Sequence, residues 1–485
     1  MSSPKHKILP GDIIAGLDIG TTKIVAIVAK VNEHQKIEVL GMGRVASSGV
    51  DKNDGVVNVV QTVDAIKQAV KLAEEDAGVN IRTVFVGIAG QHIKSSKHTG
   101  IIIRDQIDEP INTGDIQRLI DDMFKLQVDP GEQIINVLPQ DFIVDTSRSI
   151  VDPRGMIGTR LTGNFHIITA RLNAVKVIYR CVLDAGLEIA GSTLEPLASS
   201  ASVLTAEEIE AGVVLVDIGG GTTDIAIFKD NVIHHTGVIG YGGNIVTMDI
   251  KQDCSVMQNI AEKLKVEYGC AMPNEMDQNQ VITIKGMRWN PAQEISLYQL
   301  SKIIHARMED IVNAVKSHIT NAGFDQRKLI AGIVLTGGGS QLKHLTKLFD
   351  VNTGIGTRIG LPVAYVANTN KDLFNNASHS TVIGLVKWGY ENGSLSPLNN
   401  TFKVSDLDAA AIATPVAPVQ DEIQVDAAKG ELNVPAQEPI VAHESIVAGD
   451  DTAKHIKEKN RFSLAGLLKM TKDLFEGDED PSIDK

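Results

Sequence analysis

One short pattern occurs twice in this chain and limits the folds open to it. Leu17-Asp18-Ile19-Gly20-Thr21-Thr22-Lys23 runs on into Ile24-Val25-Ala26-Ile27-Val28. Roughly two hundred residues later, Val216-Asp217-Ile218-Gly219-Gly220-Gly221-Thr222-Thr223-Asp224 runs on into Ile225-Ala226-Ile227-Phe228. Each copy reads as strand, acidic residue, glycine turn, Thr-Thr, strand. A single copy is an Asp-Gly hairpin turn. Two copies with matching downstream strands imply an internally duplicated architecture. The apolar runs ending at Asp18 and Asp217 are short buried strands. Glycine lets a ligand approach the backbone closely, and successive turn N–H groups form a concavity that binds anions. Two such turns facing each other clamp a phosphate tail.

The side chains refine this reading. Gly20, Thr21, Thr22 and Lys23 form the first phosphate loop, and Gly219, Gly220, Gly221, Thr222 and Thr223 the second. Asp18 and Asp217 beside phosphates need an intervening cation. Mg²⁺ suits, because it binds through one or two carboxylates plus phosphate oxygens and keeps several waters. A third glycine turn, Gly337-Gly338-Gly339-Ser340, follows the apolar run Ile333–Leu335. Such a turn can lie flat against a purine and ribose. Ser340 is expected to cap a helix through Leu342, Leu345 and Leu348.

These residues carry a resemblance. Two acidic-glycine-threonine loops and a later Thr-Gly-Gly-Gly-Ser loop are similar to the actin, sugar-kinase and heat-shock-chaperone ATPase superfamily. Leu194-Glu195-Pro196-Leu197-Ala198-Ser199-Ser200-Ala201 resembles its first connecting helix, and Asn376-Ala377 through Ile383-Gly384-Leu385 its second. Within the superfamily the chain resembles the FtsA family of bacterial cell-division proteins. Val86–Ile93, Leu138-Pro139-Gln140-Asp141-Phe142 and Asp152-Pro153-Arg154-Gly155-Met156 look like that family's insertion domain. The resemblance implies an α/β, two-lobed actin-like ATPase fold with an inserted α/β subdomain, and ATP with Mg²⁺ as ligands. It also implies that Glu262 and Lys265, one helical face apart, hold the ribose and flank the adenine, and that Glu195 orients an attacking water. Lys23 is placed to reach the phosphates. Phosphoryl transfer depends mostly on positioning and charge neutralisation, so binding motifs leave turnover open, and FtsA-like hydrolysis is weak or absent.

The expected organisation runs as follows. Residues 12–84 and 164–200 form a first lobe, interrupted by an inserted subdomain at 85–163. Residues 201–240 and 317–395 form a second lobe, with its own insertion at 241–316. A linker (396–459) and an amphipathic helix (460–477) follow. Gly41-Met42-Gly43-Arg44-Val45-Ala46 formally fits a dinucleotide fingerprint, but no helix is expected to start there, so that reading is set aside.

Composition excludes some classes. The net charge of −14 over 485 residues opposes nucleic-acid binding. Cys181, Cys254 and Cys270 are too scattered for a disulfide framework or a metal site and read as buried thiols. The N-terminus lacks the apolar core of a signal peptide, and no apolar run is long enough to span a bilayer, so a cytoplasmic location is expected.

The tail changes character twice. Residues 403–451 hold ten acids against two lysines and no arginine, which reads as a disordered tether. The 57 residues 403–459 would span roughly 40 Å. Beyond them Leu464, Leu467, Leu468, Thr471, Leu474 and Phe475 fall on one helical face, with Lys454, Lys457, Lys459 and Arg461 upstream. Such a helix lies in the plane of a membrane interface. The expected partners are lipids of the inner membrane, further copies of the chain, other division proteins, and the C-terminal peptide of the tubulin-like FtsZ. The FtsA-like stretch Ile303–Arg307 makes Arg307 the charged anchor for that peptide. The location expected is the cytoplasmic face of the membrane at the division septum. Two alternatives remain at this point: a small-molecule kinase of the superfamily, or an assembly factor resembling PilM.

Overall fold

In the computed structural model, which describes residues 8–51, 55–105, 108–147, 149–284, 292–367 and 374–392, the first acidic-glycine motif is the tight turn of a β-hairpin. The readings made for 396–459 and for Leu464, Leu467, Leu468, Leu474 and Phe475 lie outside the described residues. Strand β1 (Ile13–Ile19) pairs antiparallel with β2 (Lys23–Val31), and β2 with β3 (Ile37–Ala46). Strand β3 continues to Ala46 through Gly41 and Gly43. Two-residue strands β4 (Val50–Asp51) and β5 (Gly55–Val56) lead into helix α1 (Val59–Ala77). Asn58 caps its start, and left-handed Gly78 returns an N–H to Glu74 at its end. Its face of Val63, Ile66, Val70 and Ala73 is buried on the sheet. A Cβ on Gly43 would sit 1.8 Å from the Ala69 carbonyl oxygen. These glycines therefore serve close helix–strand packing rather than a dinucleotide turn.

Strand β6 (Thr83–Ile88) runs parallel to β1. The chain then leaves the sheet for β7 (Ile93–Ile103), α2 (Thr113–Met123), β8 (Glu132–Val144) and β9 (Arg160–Arg171). These strands form their own sheet, in the order β7-β9-β8, under Leu119 and Met123 of α2. Strand β8 passes through Pro139 without a break, with register shifts at Ile134/Asn136 and Pro139/Asp141. Pro139 is tolerated because β8 is an edge strand. The subdomain also leans on the second lobe, where Gln140 Nε2 donates to the Ile233 carbonyl at 2.9 Å. Helix α3 (Leu172–Asp184), β10 (Glu188–Leu194) and α4 (Glu195–Val203) return the chain to the first sheet and its edge.

After the short α5 (Ala206–Ala211) the plan repeats. Strands β11 (Val213–Ile218), β12 (Thr223–Lys229) and β13 (Val232–Ile239) form an antiparallel meander. Helices α6 (Gly243–Asp253) and α7 (Gln258–Tyr268), the ribbon β14 (Val281–Ile284) and β15 (Gln293–Ser296), and the long α8 (Leu297–Asn321) follow. Strand β16 (Gly332–Thr336), α9 (Leu345–Thr353), β17 (Thr357–Ile359) and α10 (Ser380–Asn392) complete the described fold. The first sheet has the order β3-β2-β1-β6-β10 and the second β13-β12-β11-β16-β17. Strand for strand they match, so the duplicated motif lies at equivalent places in two equivalent sheets. Helices α4 and α10 cross between them: a Cβ on Gly384 would sit 1.8 Å from the Ala198 carbonyl oxygen. All three cysteines are free and buried.

Candidate functional site

The two turns have the same geometry. The Gly20 N–H donates to the Lys23 carbonyl at 3.1 Å, and the Gly219 N–H to the Thr222 carbonyl at 2.9 Å. Ile19 faces Ile24 in one hairpin and Ile218 faces Thr223 in the other. The Thr-Thr pairs are therefore not equivalent, although the sequence invites that alignment. Lys23 occupies the place of Thr222, and Val25 that of Asp224.

Both turns open onto one cavity of about 440 Å³. Asp18, Gly20, Thr21, Thr22 and Lys23 line it from the first lobe, and Asp217, Gly219, Gly220 and Thr222 from the second. Glu195, Glu262, Lys265, Gly337, Gly338 and Gly339 complete the sequence-derived set in its wall. Three expected residues stand back from it. Gly221 is not in the wall, and the Thr223 hydroxyl instead donates to the Tyr241 carbonyl at 2.8 Å. Ser340 is buried, and its hydroxyl donates to the Gly337 carbonyl at 2.7 Å. It closes the glycine turn rather than capping a helix; the next helix, α9, begins at Leu345 after His344.

Close packing explains the glycines. A Cβ on Gly337 would lie 2.2 Å from Asp217 Oδ1, so this turn rests directly on the acidic strand. A Cβ on Gly338 would find no protein atom nearer than Ser378 Cβ at 4.0 Å. Gly338 thus leaves space for something other than protein. Gly87 makes room for Glu195, since a Cβ there would sit 2.9 Å from Glu195 Cγ.

The cavity concentrates negative charge. Burial pushes the Asp18 carboxyl up to about 6, opposed by Lys23 and reinforced by Asp217. Burial likewise raises Asp224 to about 7, with Asp217 adding to it. Asp217 is raised by burial, and Glu195 well above its usual range by burial and by Asp18, Asp224 and Asp217. Burial lowers Lys23, whose ammonium donates to the Ser378 carbonyl. Asp224 was not singled out from the sequence, because it reads as the first residue of a strand. Its Oδ1 is buried without a hydrogen-bond partner. Buried carboxylates converging on one lysine suit a divalent cation. Among the described residues no three acidic, histidine or cysteine groups form a ready-made cage. An ion such as Mg²⁺ takes only one or two carboxylates and fills its shell with phosphate and water.

On the opposite wall, Lys265 Nζ lies 2.7 Å from Glu262 Oε2 and donates to the Gly243 carbonyl at 2.9 Å. This ties α7 to the start of α6. There the Gly243 and Asn244 N–H groups donate to the Gly219 and Gly220 carbonyls at 2.9 and 2.8 Å. Asn244 and Arg44 also line the cavity and were not predicted; a glycine-rich connection and a strand residue gave no signal.

Arg307 is elsewhere, on α8. Its Nε lies 2.7 Å from Asp249 Oδ2, its Nη2 lies 3.2 Å from Asp249 Oδ1, and its Nη1 lies 3.2 Å from Asp310 Oδ2. Its guanidinium also stands 5.6 Å from the Tyr241 ring centre. The expected free anchor is a half-buried, engaged side chain. Among the described residues, no helix is long and apolar enough to cross a membrane.

Two matching sheets, crossed by two helices and enclosing one acidic, glycine-lined cleft, define an actin-like protein with an inserted subdomain. A chain of the PilM-PilN type IV pilus biogenesis complex shares this fold, with a TM-score of 0.57 at 13% identity over 79% of this chain and 99% of that one. The chain belongs to the FtsA family of cell-division proteins. The family model "Cell division protein FtsA" matches residues 214–384, and that of the "SHS2 domain inserted in FTSA" matches 90–169. Cell division protein FtsA of Pseudomonas aeruginosa is 37% identical over 385 residues, covering 79% of this chain and 91% of that one. That of Escherichia coli K12 is 30% identical over 408 residues, covering 83% and 95%.

Proposed function

We propose that this protein binds Mg-ATP in the cleft, polymerises on the inner face of the cell membrane, and tethers the FtsZ ring there. The observation that carries the nucleotide part is the pair of equivalent turns opening onto one cavity beside buried carboxylates. The two phosphate loops offer backbone N–H groups to the phosphate tail, and Thr21 and Thr22 add hydroxyl donors, while the Thr222 hydroxyl donates to Asp224 Oδ2 at 3.2 Å. Asp18 and Asp217 would hold the Mg²⁺, whose charge offsets theirs against the phosphate oxygens. Glu195, at the head of α4, would orient a water; turnover is slow or absent in this reading. Gly337–Gly339 would carry the purine and ribose, with Glu262 and Lys265 on the ribose side.

The tether and partner parts rest on family membership and on the tail sequence. Leu464, Leu467, Leu468, Leu474 and Phe475 supply the apolar stripe of an interfacial helix. Neighbouring acids keep a single helix weak, so a polymer gains from avidity. Co-sedimentation of the full chain with anionic vesicles, with and without Mg-ATP, tests the reading. Binding enhanced by Mg-ATP is expected; a chain left in the supernatant under both conditions contradicts the tether.

A further inference from the structure

Asp217 is held by the two helices that cross between the lobes. From α4, Ser199 Oγ donates to Asp217 Oδ2 at 2.6 Å, a short charge-assisted bond. From α10, Thr381 Oγ1 lies 3.4 Å from the same oxygen and 3.1 Å from Ser199 Oγ. Each hydroxyl has one proton. Ser199 commits its own to the carboxylate, so the Thr381 proton is shared between Ser199 Oγ and Asp217 Oδ2. The other carboxylate oxygen lies against the Gly337 turn. A third hydroxyl, Ser202 Oγ, links the same helices, its proton shared between the Ser380 carbonyl at 2.7 Å and the Ser199 carbonyl at 2.9 Å. Ser199 and Ser202 are fully buried, and at the crossing there is no room for a Cβ on Gly384.

We propose that Ser199 and Thr381 are positioning residues that orient the Asp217 carboxylate towards the cation and couple its occupancy to the crossing of α4 and α10. Ser199 is not in the cavity wall, whereas Thr381 lines it, so the Ser199 variants carry the positioning test. A cation drawn to Asp217 pulls on a carboxylate anchored in both helices, so filling the cleft stiffens the helix crossing. Partners that orient a metal-binding side chain commonly alter metal affinity by about 10–100-fold. The proposal rests on the nucleotide reading above and adds to it the link between site and hinge.

The test uses the full chain as wild type, Ser199→Ala, Ser199→Thr and Thr381→Val. One readout is the Mg²⁺ concentration at half-maximal ATP binding, with ATP binding in EDTA as reference. The other is amide exchange in 380–392 with and without Mg-ATP. Ser199→Ala is expected to need about tenfold more Mg²⁺, to bind ATP in EDTA like wild type, and to lose the Mg-ATP-induced protection of α10. Ser199→Thr keeps the hydroxyl and should restore both. Thr381→Val, close in volume, should show the same defects in weaker form and serves if Ser199→Ala does not fold. A wild type that binds, beside variants with unchanged Mg²⁺ requirement and α10 protection, overturns this proposal alone. A wild type that binds no ATP overturns the nucleotide reading and this proposal with it. Lowered thermal stability with unchanged Mg²⁺ requirement also overturns it, since that is the mark of a merely structural hydroxyl.

Discussion

Lys23 and Thr222 occupy the same position in two equivalent turns, each accepting a hydrogen bond from the glycine three residues before it. One turn therefore carries a cation where the other carries a hydroxyl. The Lys23 ammonium is also the only cation among the causes that shift Asp18, Asp217 and Glu195. Lys23→Ala should raise the apparent pKa values of these carboxylates further and weaken Mg-ATP binding by at least tenfold, about 1.4 kcal/mol. Calorimetric titration of the variant checks this.

The carboxylates also set a pH dependence. Asp18 and Asp224 sit at about 6 and about 7 in the fold, against an ordinary value of 3.8. Raised values mean that the folded state holds these protons more tightly than the unfolded chain. Their contribution to stability is present below pH 3.8 and is lost as pH rises through 6 and 7. The slope is at most about 1.4 kcal/mol per pH unit for each group while it titrates. The ligand-free protein should thus melt at lower temperature at pH 7.5 than at pH 5 on account of these groups. Added Mg²⁺ should raise the melting temperature more at pH 7.5. Equal Mg²⁺ stabilisation at both values would separate the carboxylates from the cation.

The helix crossing predicts a steric failure. Gly384→Ala places a methyl group 1.8 Å from the Ala198 carbonyl oxygen. Backbone cannot yield as a flexible side chain does, so the helices must separate at a cost of about 1–3 kcal/mol or more. Chemical denaturation measures it; a loss below about 0.5 kcal/mol would mean that the crossing is loose.

Arg307 gives a test in two directions. Its fork is already on Asp249, with Asp310 beside it. If the acidic peptide of FtsZ uses Arg307, Asp249→Asn should free the guanidinium and strengthen binding, and Arg307→Glu should weaken it. Anisotropy of a labelled peptide reports both. Unchanged affinity in both variants makes Arg307 a structural brace between α8 and α6.

The tail predicts an order of effects. Removing residues 460–485 should abolish vesicle binding and leave ATP binding intact. Leu468→Glu should come close to the deletion, because it charges the centre of the apolar stripe. Lys469→Ala should cost about 1 kcal/mol or less, and less still in high salt. Greater damage from Lys469→Ala would make the tail an electrostatic docking peptide.

Much of this architecture was legible in the chain. The recurrence of Asp18 and Asp217 at the ends of apolar strands marked two equivalent sheets, and the glycine run at 337–339 marked a third wall of the same cavity. Register was not legible. The Thr-Thr pairs align by eye, but strand pairing makes Lys23 and Thr222 equivalent, because a turn's length is fixed by hydrogen bonds and not by composition. Ser340 looked like a cap because serine before a leucine repeat usually is one; here the glycine turn claimed its hydroxyl. Asp224 gave no signal because an acidic residue opening a strand is ordinary until the fold buries it beside Asp217. The family's inserted domain matched over residues 90–169, which overlaps the segment read as an insertion, 85–163, and runs six residues past its end.

The most direct measurement is calorimetric titration of Mg-ATP into wild type and Gly338→Asp. Gly338 has no protein atom within 4 Å of a would-be Cβ except Ser378 Cβ at that limit, so the variant should fold and melt like wild type. Its side chain would enter only the space assigned to the nucleotide. One site in the wild type, and affinity reduced at least tenfold in the variant at unchanged melting temperature, is the predicted result. Equal affinity in the two proteins would contradict the account, because the nucleotide would then lie somewhere other than this cleft.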